Sequence, residues 1–130
     1  MDQQLSPGTK VLRLVDTGLA ELPWTSLPDS IEEVDLRGNC LTSIPLAVQR
    51  LPRLKLLNMA GNKLHSVQWT AAAAAKDSTG ATVPPPIEHL HLGGNELDQL
   101  DESLAVLAPT LTYLYLGGNR LKEVRTQIPK

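Results

Sequence analysis

Ile31-Glu32-Glu33-Val34-Asp35-Leu36-Arg37-Gly38-Asn39-Cys40-Leu41 carries aliphatic residues at its first, fourth, sixth and eleventh positions and an asparagine at its ninth. The same frame recurs along the chain. Aligned on Asn39, Asn62, Asn95 and Asn119, each copy has a leucine two residues later: Leu41, Leu64, Leu97 and Leu121. Aliphatic residues precede each asparagine in the sets Ile31/Val34/Leu36, Leu54/Leu57/Met59, Ile87/Leu90/Leu92 and Leu111/Leu114/Leu116. Ile44, Val67, Leu100 and Val124 follow at one further shared position. A degenerate first copy fits the frame with Thr9, Leu12, Leu14, Thr17, Leu19 and Leu22. The copies begin at residues 9, 31, 54, 87 and 111, spaced 22, 23, 33 and 24 residues apart. A fixed register at such a period marks a repeat architecture.

The pattern resembles the leucine-rich repeat family, whose motif L-x-x-L-x-L-x-x-N-x-L is met by residues 31–41, and the resemblance covers residues 9–128. The Leu-x-x-Leu-Pro continuations at Leu19–Pro23 and Leu41–Pro45 are similar to the intracellular, Ras-group class, with repeats of roughly 23 residues. The resemblance implies an α/β right-handed solenoid of five repeats with a parallel concave β-sheet and short irregular, 3₁₀ or helical returns. It also implies partner recognition through that sheet. The expected organisation is an N-terminal arm over 1–8 and a repeat domain over 9–130, with an insertion loop at 77–86.

The spacing has a physical reading of its own. Positions four and six of each copy alternate with positions three, five and seven, the period of two of a β-strand. One such strand is too short to bury its apolar side alone. Stacked about 4.8 Å apart, copies pair their backbones and merge their aliphatics into one core. Parallel neighbours need a return crossover, which the remainder of each copy supplies. The asparagines Asn39, Asn62, Asn95 and Asn119 fall just after the strand, where a buried amide can satisfy turn backbone groups. They form an expected structural ladder. Thr17 stands at the equivalent place in the first copy, so that turn is expected to be looser.

The returns are short. Asp101–Leu107 reads as one or two helical turns capped by Asp101. Pro23, Pro28, Pro45 and Pro52 favour extended or 3₁₀ returns in the first two copies. Trp69 and the alanines after it stand where leucines are usual. The excess length of the third copy is Asp77–Pro86, which reads as a flexible surface loop closed by three prolines.

Composition narrows the function. Leucine supplies 24 of 130 residues while aromatics are 3% and Phe is absent, so this is not an ordinary packed globule. A formal net charge of −2 excludes a chain-wide electrostatic grip on nucleic acid. A single cysteine, Cys40, cannot form an internal disulfide, and its position suits a small, partly buried filler. There is no apolar run of membrane-spanning length, no secretory-signal pattern and no Asn-x-Ser/Thr sequon. The expected location is cytoplasmic, with the nucleus as the alternative.

No catalytic signature is present, so the expectation is a non-enzymatic protein without cofactor or metal. Gly93-Gly94-Asn95 and Gly117-Gly118-Asn119 lack the frame of a phosphate-binding loop and fall at the repeat turn. The outward strand positions are more informative. Position three reads Val11, Glu33, Leu56, His89 and Tyr113, and position five reads Arg13, Asp35, Asn58, His91 and Tyr115. Position seven reads Val15, Arg37, Ala60, Gly93 and Gly117, whose glycines are expected to leave a low, open rim. Both tyrosines and two of the three histidines therefore share one face. The expected partner-binding residues are Leu56, His89, His91, Tyr113 and Tyr115, with Glu33, Asp35 and Arg37 setting orientation. His89 and His91 could meet on one ion, but a third ligand is lacking nearby. The expected partner is a protein, with no nucleic acid and no membrane. A regulatory subunit of a phosphatase, kinase or small-GTPase pathway would use the same surface. The last strand, within 112–116, is expected to be an open edge. A fragment of a longer repeat protein, a covering partner or second copy, and a folded-back tail each account for it.

Overall fold

The computed structural model describes residues 6–24, 26–69, 75–76, 78–80, 82–83 and 86–121. Five short strands run parallel in one sheet: β1 (Val11–Arg13), β2 (Glu33–Asp35), β3 (Leu56–Asn58), β6 (His89–His91) and β7 (Tyr113–Tyr115), in that spatial order. The strands β4 (Ala75–Lys76) and β5 (Thr82–Val83) form a separate antiparallel pair. The large sheet with its crossovers is a β-solenoid containing few helices.

The register follows the repeat frame. Val11, Glu33, Leu56, His89 and Tyr113 stand in one row across the sheet, and Arg13, Asp35, Asn58, His91 and Tyr115 in another. Between them Leu12, Val34, Leu57 and Leu90 point inward and are buried, while Leu114 is half-buried. Leu36, Met59 and Leu92 are fully covered in the next interior row, and Leu116 continues it half-buried. The returns add Ile44, Val48, Leu51, Val67, Trp69, Leu100, Leu104 and Leu107 to the same core.

The turn after each strand repeats one conformation. Gly38, Gly61, Gly94 and Gly118 have φ of 71°, 68°, 68° and 74°, and Asp16 takes the same place in the first copy at φ 57°. This left-handed region is cheap for glycine and tolerated by aspartate. The column is also tight. A Cβ on Gly94 would lie 3.4 Å from the Gly61 nitrogen, and one on Gly118 would lie 3.2 Å from that of Gly94.

Each asparagine fastens its turn to the preceding one. The Asn62 amide donates to the carbonyls of Leu36, Met59 and Ala60 and accepts from the Leu41 N–H. Asn95 donates to Met59, Leu92 and Gly93 and accepts from the N–H groups of Asn62 and Leu64. Asn39, Asn62 and Asn95 are buried, while Asn119 is half-buried. In the first turn the Thr17 hydroxyl donates to Asn39 Oδ1 at 2.7 Å, alongside the N–H groups of Thr17 and Leu19. Thr17 itself is exposed and reaches no earlier repeat.

The returns vary. The second contains a one-turn helix, α1 (Leu46–Gln49), immediately after Pro45. The sequence reading of extended or 3₁₀ returns there is thus modified. Pro45, at φ −58°, is preset to lead into a helical turn, and Pro52 stands just beyond its end. Gln49 is buried and donates to the Ile44 and Gln68 carbonyls. Glu102–Leu107 forms a 3₁₀ helix, and its Asp101 cap accepts from the Ser103 N–H at 2.8 Å. Hydrogen bonds from the Ser103 backbone and side chain, with a weaker one from Gln68, lower the Asp101 pKa from its ordinary value.

Two residues just ahead of the expected insertion pair with two inside it. Ala75 pairs with Val83 and Lys76 with Thr82, around a turn that includes 78–80. A hairpin satisfies backbone groups that an irregular loop would leave to water. Pro84 and Pro85 lie outside the described residues.

Candidate interaction face

All eight residues expected to bind a partner lie on the solvent side of the sheet or at its rim. Tyr113 and Tyr115 are 46% and 43% exposed, high values for large side chains in a strand. Glu33, Arg37 and His89 are exposed, whereas Leu56, Asp35 and His91 are half-buried. The sheet stacks histidine on tyrosine twice. The His89 and Tyr113 rings are 5.8 Å apart and tilted by 38°, and those of His91 and Tyr115 are 4.6 Å apart and tilted by 44°. Tilted pairs at these distances are mildly attractive.

The position-five side chains also shape the turn. Asp35 accepts from the Arg37 N–H, Asn58 from the Ala60 N–H and His91 Nδ1 from the Gly93 N–H, at 3.3, 3.0 and 3.4 Å. Each caps the amide two residues ahead, in the manner of an Asx turn. Sequence reasoning placed Asp35, Asn58 and His91 on the face but missed this second task. The signal was available: acceptor side chains occupy position five in three consecutive copies.

Asp35 is also the electrostatic centre of the face. It receives the Arg37 Nε at 2.9 Å and lies 3.8 Å from the Arg13 Nε. Asp35 holds the Arg37 guanidinium more firmly protonated than usual. His91 is pushed the other way. Burial lowers its pKa, the nearby Arg37 charge lowers it further, and Asp35 opposes both. The Gly93 N–H, donating to Nδ1, also favours the neutral ring, since protonation would consume that lone pair.

The expected open rim is filled. A Cβ on Gly93 would lie 2.6 Å from Tyr115 Cε2, and one on Gly117 would lie 2.6 Å from the Tyr115 hydroxyl. The Tyr115 ring therefore lies over both glycines, and Gly93 is buried. Glycine at position seven makes room for a neighbouring ring. Tyr115 is accordingly half a packing residue, and Tyr113 is the freer of the two.

Other possible chemistry is sparse. Among the described residues no group of three or more His, Cys, Asp or Glu side chains could hold a metal ion. Cys40 is free and half-buried. His65 pairs instead with Glu96 at 3.1 Å, away from the face. Among the described residues no helix is long and apolar enough to cross a membrane. Comparison with protein-family models gives no match, and comparison with curated proteins gives none either.

Proposed function

We propose that this protein is a non-enzymatic interaction module of the leucine-rich repeat type, which binds a partner protein through the exposed, concave side of its parallel sheet. One observation carries the reading. Two tyrosines more than two-fifths exposed stand two residues apart on one strand of a five-stranded sheet, each beside a histidine ring. The ordered sheet has already fixed the backbone beneath these rings, so binding loses little conformational freedom there. Aromatic anchors on a rigid base, bordered by charges, match the composition of interface centres. The border here is Glu33, Asp35 and Arg37.

The reading is tested by capturing partners from a lysate of the source cells. The wild-type chain is compared with Tyr113→Ala/His89→Ala and with the glycine variant Ser78→Gly/Thr79→Gly. Each bait is first checked by circular dichroism. A partner retained by wild type and the glycine variant, but lost with the double alanine variant, is the expected result. Retention by the double alanine variant with loss on the glycine variant would move binding to the insertion and sink the proposal.

A further inference from the structure

The row formed by Glu33, Leu56, His89 and Tyr113 crosses four neighbouring strands of the sheet. The charges around it are unevenly settled. Lys10 pairs with Glu32, Arg13 and Arg37 with Asp35, and His65 with Glu96. Glu33 is exposed and, among the described residues, has no ion-pair partner. At the other end of the row the Tyr113 ring is 46% exposed beside His89. An unpaired carboxylate at one end and an electron-rich ring at the other both attract cations. Of the positive groups nearby, Arg13 and Arg37 are held by Asp35, and Lys55, exposed beside Leu56, is in no ion pair among the described residues.

We propose that this row binds an extended segment of a partner protein carrying two basic residues four positions apart with an aliphatic residue midway, one basic residue on Glu33 and the other, an arginine, on Tyr113. The proposal rests on the interaction-module reading and gives it a chemical class of partner. The spacing comes from geometry. Glu33 and Tyr113 are three strand separations apart, about 14 Å. Four residues of extended chain rise about 13 Å, and side chains at i, i+2 and i+4 share one side. The middle residue then sits over Leu56 and His89. Arginine suits the Tyr113 end because a planar guanidinium can lie flat on a ring. An acidic segment laid along the row would set a carboxylate against Glu33.

The test is an NMR titration of the whole ¹⁵N-labelled chain with acetyl-Arg-Ser-Leu-Ser-Arg-amide. The same peptide with citrulline for both arginines, and acetyl-Glu-Ser-Leu-Ser-Glu-amide, serve as comparisons. Saturable shifts confined to β2, β3, β6 and β7 are expected, with the citrulline peptide about fivefold weaker or more. Glu33→Gln and Tyr113→Ala should each weaken the arginine peptide roughly two- to fivefold. Glu21→Gln, in the first return, should leave it unchanged. No saturation, equal binding of the citrulline peptide, stronger binding of the acidic peptide, or shifts elsewhere would each overturn the proposal. If partner capture still depends on Tyr113 and His89 while the arginine peptide fails, only the basic-segment claim falls. If capture ignores the face, the interaction-module reading itself falls.

Discussion

At the scale of single residues, the face shows side chains with two tasks. His91 is the most consequential, because one of its tasks depends on protonation state. Its pKa is lowered in the folded chain, by burial first and by Arg37 second. A histidine that resists protonation only when folded gives stability that is complete above about pH 6.5, its unfolded value. That stability is lost as pH falls through the folded value, because the unfolded chain then binds more protons. His91→Asn should remove this slope, since asparagine can cap the Gly93 N–H as Asn58 caps that of Ala60. The expected outcome is a smaller fall in Tm between pH 7 and pH 5 for the variant than for wild type, measured by thermal melts across that range. An identical slope in both would show that His91 is not the titrating group. The surface pairs around Asp35 are expected to contribute little, because Arg13 and Arg37 remain largely solvated.

At the scale of the element, the strand and its turn are the unit that the sequence spells out. Alternation at positions three to seven and the recurring frame, spaced 22, 23, 33 and 24 residues apart, were enough to place β1, β2, β3, β6 and β7 and to align their rows. Burial of one side leaves a strand no freedom to slip by one residue. The asparagines were legible for the same reason, as a polar residue recurring inside an apolar frame. What stayed hidden depends on neighbours. The lean of Tyr115 over Gly93 and Gly117 is set by space between copies, which no single copy encodes. The two-residue pairing of β4 with β5 is too short to leave a pattern, and α1 is one turn set by Pro45. The asparagine turn gives a prediction at this scale. Asn62→Ala leaves the buried Leu41 N–H without a partner and takes one of two donors from the Leu36, Met59 and Ala60 carbonyls, which keep Asn39, Asn95 and the Gly38 N–H, and should cost roughly 2–3 kcal/mol. Asn119→Ala, at a half-buried site, should cost about 1 kcal/mol. Urea unfolding of the two variants checks the order, and equal losses would contradict it.

At the scale of the whole molecule, stability is a sum over neighbouring repeats, because each copy touches only those beside it. The middle of the stack is closed on both sides. Leu36, Met59 and Leu92 are fully buried, while Leu114, Leu116 and Leu121 at the far end are only half-buried. Local opening should therefore grade along the solenoid. Native-state hydrogen exchange is expected to show the strongest protection at Leu57 and Met59, whose backbones lie between two paired strands, and weaker protection at Leu114. Uniform protection from β1 to β7 would mean that the chain opens as a single unit.

The asparagine bonds point one way along the chain, and this gives the molecule a sense of time. The turn amides Leu41 N–H and Leu64 N–H receive their acceptors from Asn62 and Asn95, residues that leave the ribosome later. A nascent copy therefore stays incomplete until its successor has emerged. Synthesis itself sets the order in which the coils are latched, each one trailing the growing end by a repeat.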